Sequence, residues 1–119
     1  REGGDCVLTL GPSIKVYLAC GTTDMRKSFD TLAGAVKETL DQDPLSGHLF
    51  VFRNKTGRRV KILFWDRTGW VLWYKRLETS IFRFPIGESG SMEIEAMQLR
   101  LLLDGIPLGP RVPRKAAEA

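Results

Sequence analysis

Few residues in this chain could do covalent or metal chemistry, and many could bind. The acids in the two most patterned stretches are Asp24, Asp30, Asp66 and Glu78, with one histidine, His48, and two cysteines, Cys6 and Cys20. A nuclease or strand-transfer centre needs two or three carboxylates converging on metal ions. Asp66 opens an Asp-Arg-Thr-Gly turn and Asp24 caps the start of a helical stripe, so local backbone geometry accounts for both. One histidine and two well-separated cysteines make no zinc-ligand spacing. The sequence holds no nucleophile–base, P-loop or dinucleotide motif. No catalytic residue, metal site or cofactor is expected, and the cysteines read as reduced and structural.

The cations carry the stronger signal. The formal net charge is +4. Residues 53–83 hold Arg53, Lys55, Arg58, Arg59, Lys61, Arg67, Lys75, Arg76 and Arg83 against Asp66 and Glu78, a local net of +7 that leaves −3 for the remainder. The charge is a patch. All three tryptophans, Trp65, Trp70 and Trp73, fall inside it. Basic residues interleaved with aromatics suit nucleic-acid binding, although exposed hairpins also carry Lys and Arg for solubility and edge protection.

The elements that position this patch lie in residues 47–85. Asn54-Lys55-Thr56-Gly57 and Asp66-Arg67-Thr68-Gly69 each fit a type I turn followed by a left-handed glycine, the common three-residue hairpin loop. With β-branched and aromatic runs between them, a three-stranded meander is expected. That register sets Asn54 opposite Arg58 and Asp66 opposite Trp70. One face then carries Phe50, Phe52, Val60, Ile62, Phe64, Trp70, Leu72 and Tyr74 as the core side, with His48 in a structural role on it. The other carries Leu49, Val51, Arg53, Arg59, Lys61, Leu63, Trp65, Val71, Trp73 and Lys75.

Around the meander, residues 14–18 alternate as a strand. Met25, Phe29, Leu32, Val36 and Leu40 form one helical stripe, predicting a helix over 24–41. Arg26 and Lys27 in its first turn oppose the helix dipole, which suggests either a contact with phosphate or an acidic partner, or a salt bridge to Asp24 or Asp30. A fourth strand is expected over 80–84, a loop over 87–91, a short strand over 92–94 and a helix over 95–104. Residues 1–12 read as a loose tail with a short edge strand at 6–10, residues 13–106 as one domain, and residues 107–119 as a flexible basic tail. The fold expected is α+β, an antiparallel meander sheet of four to six strands with two packed helices. A composition of 43% hydrophobic and 27% charged residues is that of a soluble globular protein. No apolar run is long enough to span a bilayer, and no export signal is read at the start of the sequence.

The run Thr23-Asp24-Met25-Arg26-Lys27-Ser28-Phe29-Asp30-Thr31-Leu32-Ala33, then Lys61-Ile62-Leu63-Phe64-Trp65-Asp66, Gly69-Trp70, Leu72-Trp73-Tyr74-Lys75-Arg76-Leu77-Glu78, Phe82-Arg83-Phe84-Pro85 and Leu102-Leu103-Asp104-Gly105-Ile106, resembles the small TnpB-type, second-open-reading-frame accessory proteins of the insertion sequence sixty-six family. The resemblance covers roughly residues 12–106. Ser28 and Thr31 stand where many members have Gly, and Glu95 where a Ser or Thr cap is usual. The resemblance implies a bacterial cytoplasmic protein encoded beside a separate transposase and assisting DNA transposition. It supplies no catalytic residues. It is not a resemblance to the RNA-guided nucleases that share the TnpB label.

Three uses of the mixed sheet face remain open. It binds DNA, transposon ends or single-stranded intermediates, with Arg53, Arg59, Lys61 and Lys75 on phosphates. Lys55, Arg58 and Arg67 extend the patch from the hairpin tips, Arg26, Lys27 and Arg76 add to it, and Trp65 or Trp73 stacks on a base. Or Leu49, Val51, Leu63, Trp65, Val71 and Trp73 form an apolar centre docking the cognate transposase or a second copy, with no direct DNA binding. Or a helix covers each face and only the rim is exposed.

Overall fold

Residues 13–83 and 90–104 are described by the computed structural model. The elements are β1 (Val16–Thr22), α1 (Phe29–Glu38), β2 (Leu49–Arg53), β3 (Arg59–Trp65), β4 (Trp70–Arg76), β5 (Ser91–Ile94) and α2 (Ala96–Leu103). They form one five-stranded sheet, ordered β4-β3-β2-β1-β5, with a helix against each face. The α+β class stands, but the sheet is mixed. β1 and β2 run parallel, and β1–β5, β2–β3 and β3–β4 are antiparallel. A strand, a helix and a strand in succession make a crossover, and a crossover returns the chain parallel. The expectation of a wholly antiparallel sheet overlooked that order.

Both meander registers are one residue away from the expected ones. Arg53 pairs with Val60 and Trp65 with Trp70. The first loop closes through the Asn54 N–H to the Arg59 carbonyl (3.0 Å), with Arg59 N–H returning to the Asn54 side-chain oxygen (3.0 Å). Asp66 N–H donates to the Gly69 carbonyl at 3.0 Å. The left-handed residues are Gly57 (φ 78°) and Arg67 (φ 85°).

With period two, those slips exchange the two faces of β3 against β2 and β4. On the α2 side Val16, Leu18, Leu49, Val51, Val60, Ile62 and Ile94 pack with Leu99, Leu102 and Leu103, and Phe64 and Trp73 lean on them. On the α1 side Ala19, Phe50, Phe52 and Leu63 pack with Leu32, Val36 and Leu40, joined by Tyr17, Trp70 and Leu72. The mixed sheet face proposed from sequence therefore does not exist, and the arrangement with one helix per face does.

Helix α1 is shorter than the 24–41 stretch. Residues 24–27 form a turn instead, with Lys27 N–H on the Asp24 carbonyl (3.1 Å) and Arg26 N–H on the Asp24 carboxylate (2.9 Å). Arg26 and Lys27 thus precede the helix, and no conflict with its dipole arises. Asp41 (φ 56°) ends the other side, where Gln42 N–H closes on the Val36 carbonyl at 3.1 Å. Within the expected fourth strand, residues 80–83 are irregular. Phe82 is buried there and its N–H donates to the Gly57 carbonyl, so the segment plugs the β2–β3 hairpin instead of extending the sheet. Helix α2 starts as read, with Gln98 Oε1 accepting the Glu95 N–H at 2.8 Å. The expected strand at 6–10, residue 84, most of the 87–91 loop and the 107–119 tail lie outside the described residues.

Candidate nucleic-acid interface

The chain is basic at the end of the sheet where β1 and β2 finish, β3 starts and β4 finishes. The anchor is Lys61, only 7% exposed. Its ammonium donates to the carbonyls of Met25 (2.7 Å) and Lys27 (2.8 Å) and lies 4.9 Å from the centre of the Tyr74 ring. Those carbonyls would otherwise be the first acceptors of a longer helix, so Lys61 both shortens α1 and fixes the Asp24–Lys27 turn over the sheet. Thr23 N–H on the Arg53 carbonyl (2.8 Å) ties the same turn to β2.

The fixed turn forms one wall of a groove of about 420 Å³ lined by Thr23, Asp24, Met25, Arg26, Asn54, Lys55, Arg59 and Tyr74. A second hollow of about 320 Å³, lined by Arg59, Tyr74, Arg76 and Glu78, continues it. Arg59 and Tyr74 are common to both, joined by a 2.8 Å bond from the guanidinium to the phenol oxygen. The result is a shallow trough with Arg26, Lys55, Arg59 and Arg76 around one ring that is 46% exposed.

Its two acids are engaged locally. Arg26 grips the Asp24 carboxylate through Nε and Nη2 at 2.7–3.1 Å while its side chain stays 91% exposed. That hydrogen bonding, with the backbone bond from Arg26, lowers the Asp24 pKa to about 2. Arg76 pairs with Glu78 at 2.8 Å. Lys55 and Arg59 carry no carboxylate partner among the described ion pairs, and Arg26 and Arg76 are each paired with a single carboxylate.

The structure divides the residues expected to bind DNA. Arg26, Lys55, Arg59 and Arg76 meet in the trough. Lys61 is buried beneath it. Lys27 is exposed but faces a separate 220 Å³ cavity with Thr22, Thr23 and Thr39. Arg58 is exposed on the β2–β3 loop, its carbonyl accepting the Leu77 N–H. Arg53 is half-buried on the α2 side. Lys75, also on that side, donates to the Leu103 carbonyl at the end of α2 (2.7 Å), placing a positive charge at the negative end of the helix dipole. Arg67 tips the β3–β4 hairpin at the far end of the sheet.

The two tryptophans are split as well. Trp73 packs into the α2-side core. Trp65 lies on the α1 side at the end away from the trough, edge-on to Trp70 at 5.1 Å. Near it Tyr17 stacks on Phe50 and meets the His48 ring, whose Nδ1 accepts the Lys15 N–H (3.0 Å). Sequence reading missed Tyr74, which it put in the core. The signal was the closure of the second hairpin one residue earlier, at Trp65–Trp70, which puts Tyr74 across from Lys61. Among the described residues no cluster of His, Cys, Asp or Glu is arranged to hold a metal, and no helix is long and apolar enough to cross a membrane. Cys20 is a buried free thiol whose pKa burial raises.

Comparison with known proteins agrees with the motifs. Two uncharacterized proteins of Sinorhizobium fredii are similar over most of their length. y4hO is 42% identical over 84% of this chain and 87% of its own, and y4jC is 33% identical over 89% and 92%. No solved structure matches. The family described as IS66 Orf2 like protein matches residues 14–112, which include the Asp24–Lys27 turn, the Lys61 anchor and the whole trough, and the chain belongs to that family.

Proposed function

We propose that this protein is a non-enzymatic accessory factor in the transposition of a bacterial insertion sequence, holding DNA in the trough while it works beside a separate transposase in the cytoplasm. The family ties the chain to transposition. The observation that carries the DNA contact is Tyr74: one ring face lies toward the Lys61 ammonium, and the ring sits between Arg59 and the Arg76 hollow. A base stacked on the open part of the ring would place its flanking phosphates against Arg59, Lys55 and Arg26. The substrate this favours is a single strand or a frayed transposon end, because a duplex offers no unstacked base.

Fluorescence anisotropy on labelled single-stranded, duplex and transposon-end oligonucleotides tests it. Tyr74→Ala is expected to cost about 1–3 kcal/mol of single-strand affinity and little on duplex. No binding of any oligonucleotide at low salt would overturn the reading. An adaptor that docks the transposase is the second reading, favoured by the half-exposed aromatic group Tyr17, His48, Trp65 and Trp70 away from the trough. On that reading Trp65→Ala abolishes transposase capture, and the trough variants do not.

A further inference from the structure

We infer that β4 pairs with β4 of a second copy of this chain, joining two sheets into one. β4 is the outermost strand, and among the described residues none pairs with its outer edge. It is seven residues long, whereas the opposite edge strand, β5, has four. Exposed edges are ordinarily guarded by short length, proline, bulges or charged side chains, inward-pointing ones included. β4 is long, has no proline and keeps an unbroken register with β3 from Arg76 to Trp70, and its one inward lysine, Lys75, has its charge taken up by the Leu103 carbonyl.

The hydrogen-bond pattern fixes how two copies would meet. Leu77 N–H bonds to the Arg58 carbonyl and Asp66 N–H to the Gly69 carbonyl. By alternation Val71, Trp73 and Lys75 then direct their backbone groups to β3, and Trp70, Leu72, Tyr74 and Arg76 direct theirs outward. A two-fold axis normal to the sheet requires residues of like orientation to pair. The register that uses every outward group sets Trp70 against Arg76, Leu72 against Tyr74, and Trp73 against its own copy on the axis. It makes about eight hydrogen bonds, and a shift by two residues either way loses some of them. No like charges face each other in it. Lys75 is opposite Val71, and Arg76 and Tyr74 face Trp70 and Leu72 of the second copy across the seam, so pairing and a base stacked on the outer face of Tyr74 compete for that ring. The two-fold keeps both troughs on the same side of the joined sheet.

Light scattering on the eluting protein should give twice the 13.4 kDa chain mass. A monomer even at about 100 µM overturns the inference. The register has its own test, in a chain carrying Cys6→Ser and Cys20→Ala. Trp73→Cys sits on the axis at a pair spacing of about 4.5 Å, within disulfide reach, and should crosslink fully on mild oxidation. Val71→Cys should not. Crosslinking of Val71→Cys alone overturns the register. Where Trp73→Cys does not fold, Leu72→Pro decides. It removes an outward N–H and leaves the bonds to β3 in place, so a folded monomer supports the pairing and an undiminished dimer overturns it.

Discussion

Lys61 and Arg59 are two residues apart on one strand and face the same way, yet they do different work. Lys61 is buried with two carbonyls as acceptors, and Arg59 is half-exposed with a phenol oxygen as its partner. Lys61→Met leaves the Met25 and Lys27 carbonyls without their donor, and urea unfolding should show a loss of about 1–3 kcal/mol. Arg59→Ala should leave stability nearly unchanged and weaken DNA binding at every sequence. The Asp24–Arg26 grip has a pH signature. The folded carboxyl titrates near pH 2, below its ordinary value of 3.8. A depressed carboxyl contributes stability above its unfolded pKa and loses it as pH falls through the folded one, so the contribution fades between about pH 4 and 2. A carboxyl titration followed by NMR should find Asp24 still mostly ionised at about pH 3, where an ordinary carboxyl is mostly protonated, and Arg26→Ala should return it toward 3.8.

The hairpins decide the architecture at the next scale, and they do so through one residue each. Gly57 has φ 78°, and a Cβ there would lie 3.2 Å from the Phe82 carbonyl oxygen. Gly57→Ala should cost about 1–3 kcal/mol by chemical denaturation. Gly69 has no positive φ and open space around it, so Gly69→Ala should be silent, whereas Arg67→Gly, at φ 85°, should stabilise by up to about 1 kcal/mol. From sequence alone both glycines looked alike. The strands themselves were legible from β-branched and aromatic runs, and so was the stripe of α1 through Leu32, Val36 and Leu40. The register was not, for a physical reason. Helices cover both faces, so Val60 and Ile62 on one side are as apolar as Phe50 and Leu63 on the other, and a slip by one residue still sorts apolar from mixed. The buried Lys61 compounded the error, since a lysine on a sheet reads as exposed. The trough suffered accordingly: its cations were named, but its ring was not.

At the scale of the molecule, the net +7 over residues 53–83 is dispersed by the fold as much as concentrated. Lys75 caps a helix, Lys61 holds a turn, Arg53 is half-buried and Arg67 is carried to the far end of the sheet. What converges on the trough is Arg26, Lys55, Arg59 and Arg76, with Asp24 and Glu78 paired to two of them. Each bound phosphate releases condensed counterions in proportion to the charges it meets, so the slope of log affinity against log salt counts those contacts. Nine independent cations would give a steep slope. Two to four give about −1.5 to −3 on single strands, at about −0.7 for each contact. Arg59→Ala should flatten that slope by about 0.7, and Lys75→Met should leave it unchanged while lowering stability. A slope that responds equally to both substitutions would mean that DNA reads the whole basic surface, and the trough would then have no special part in binding.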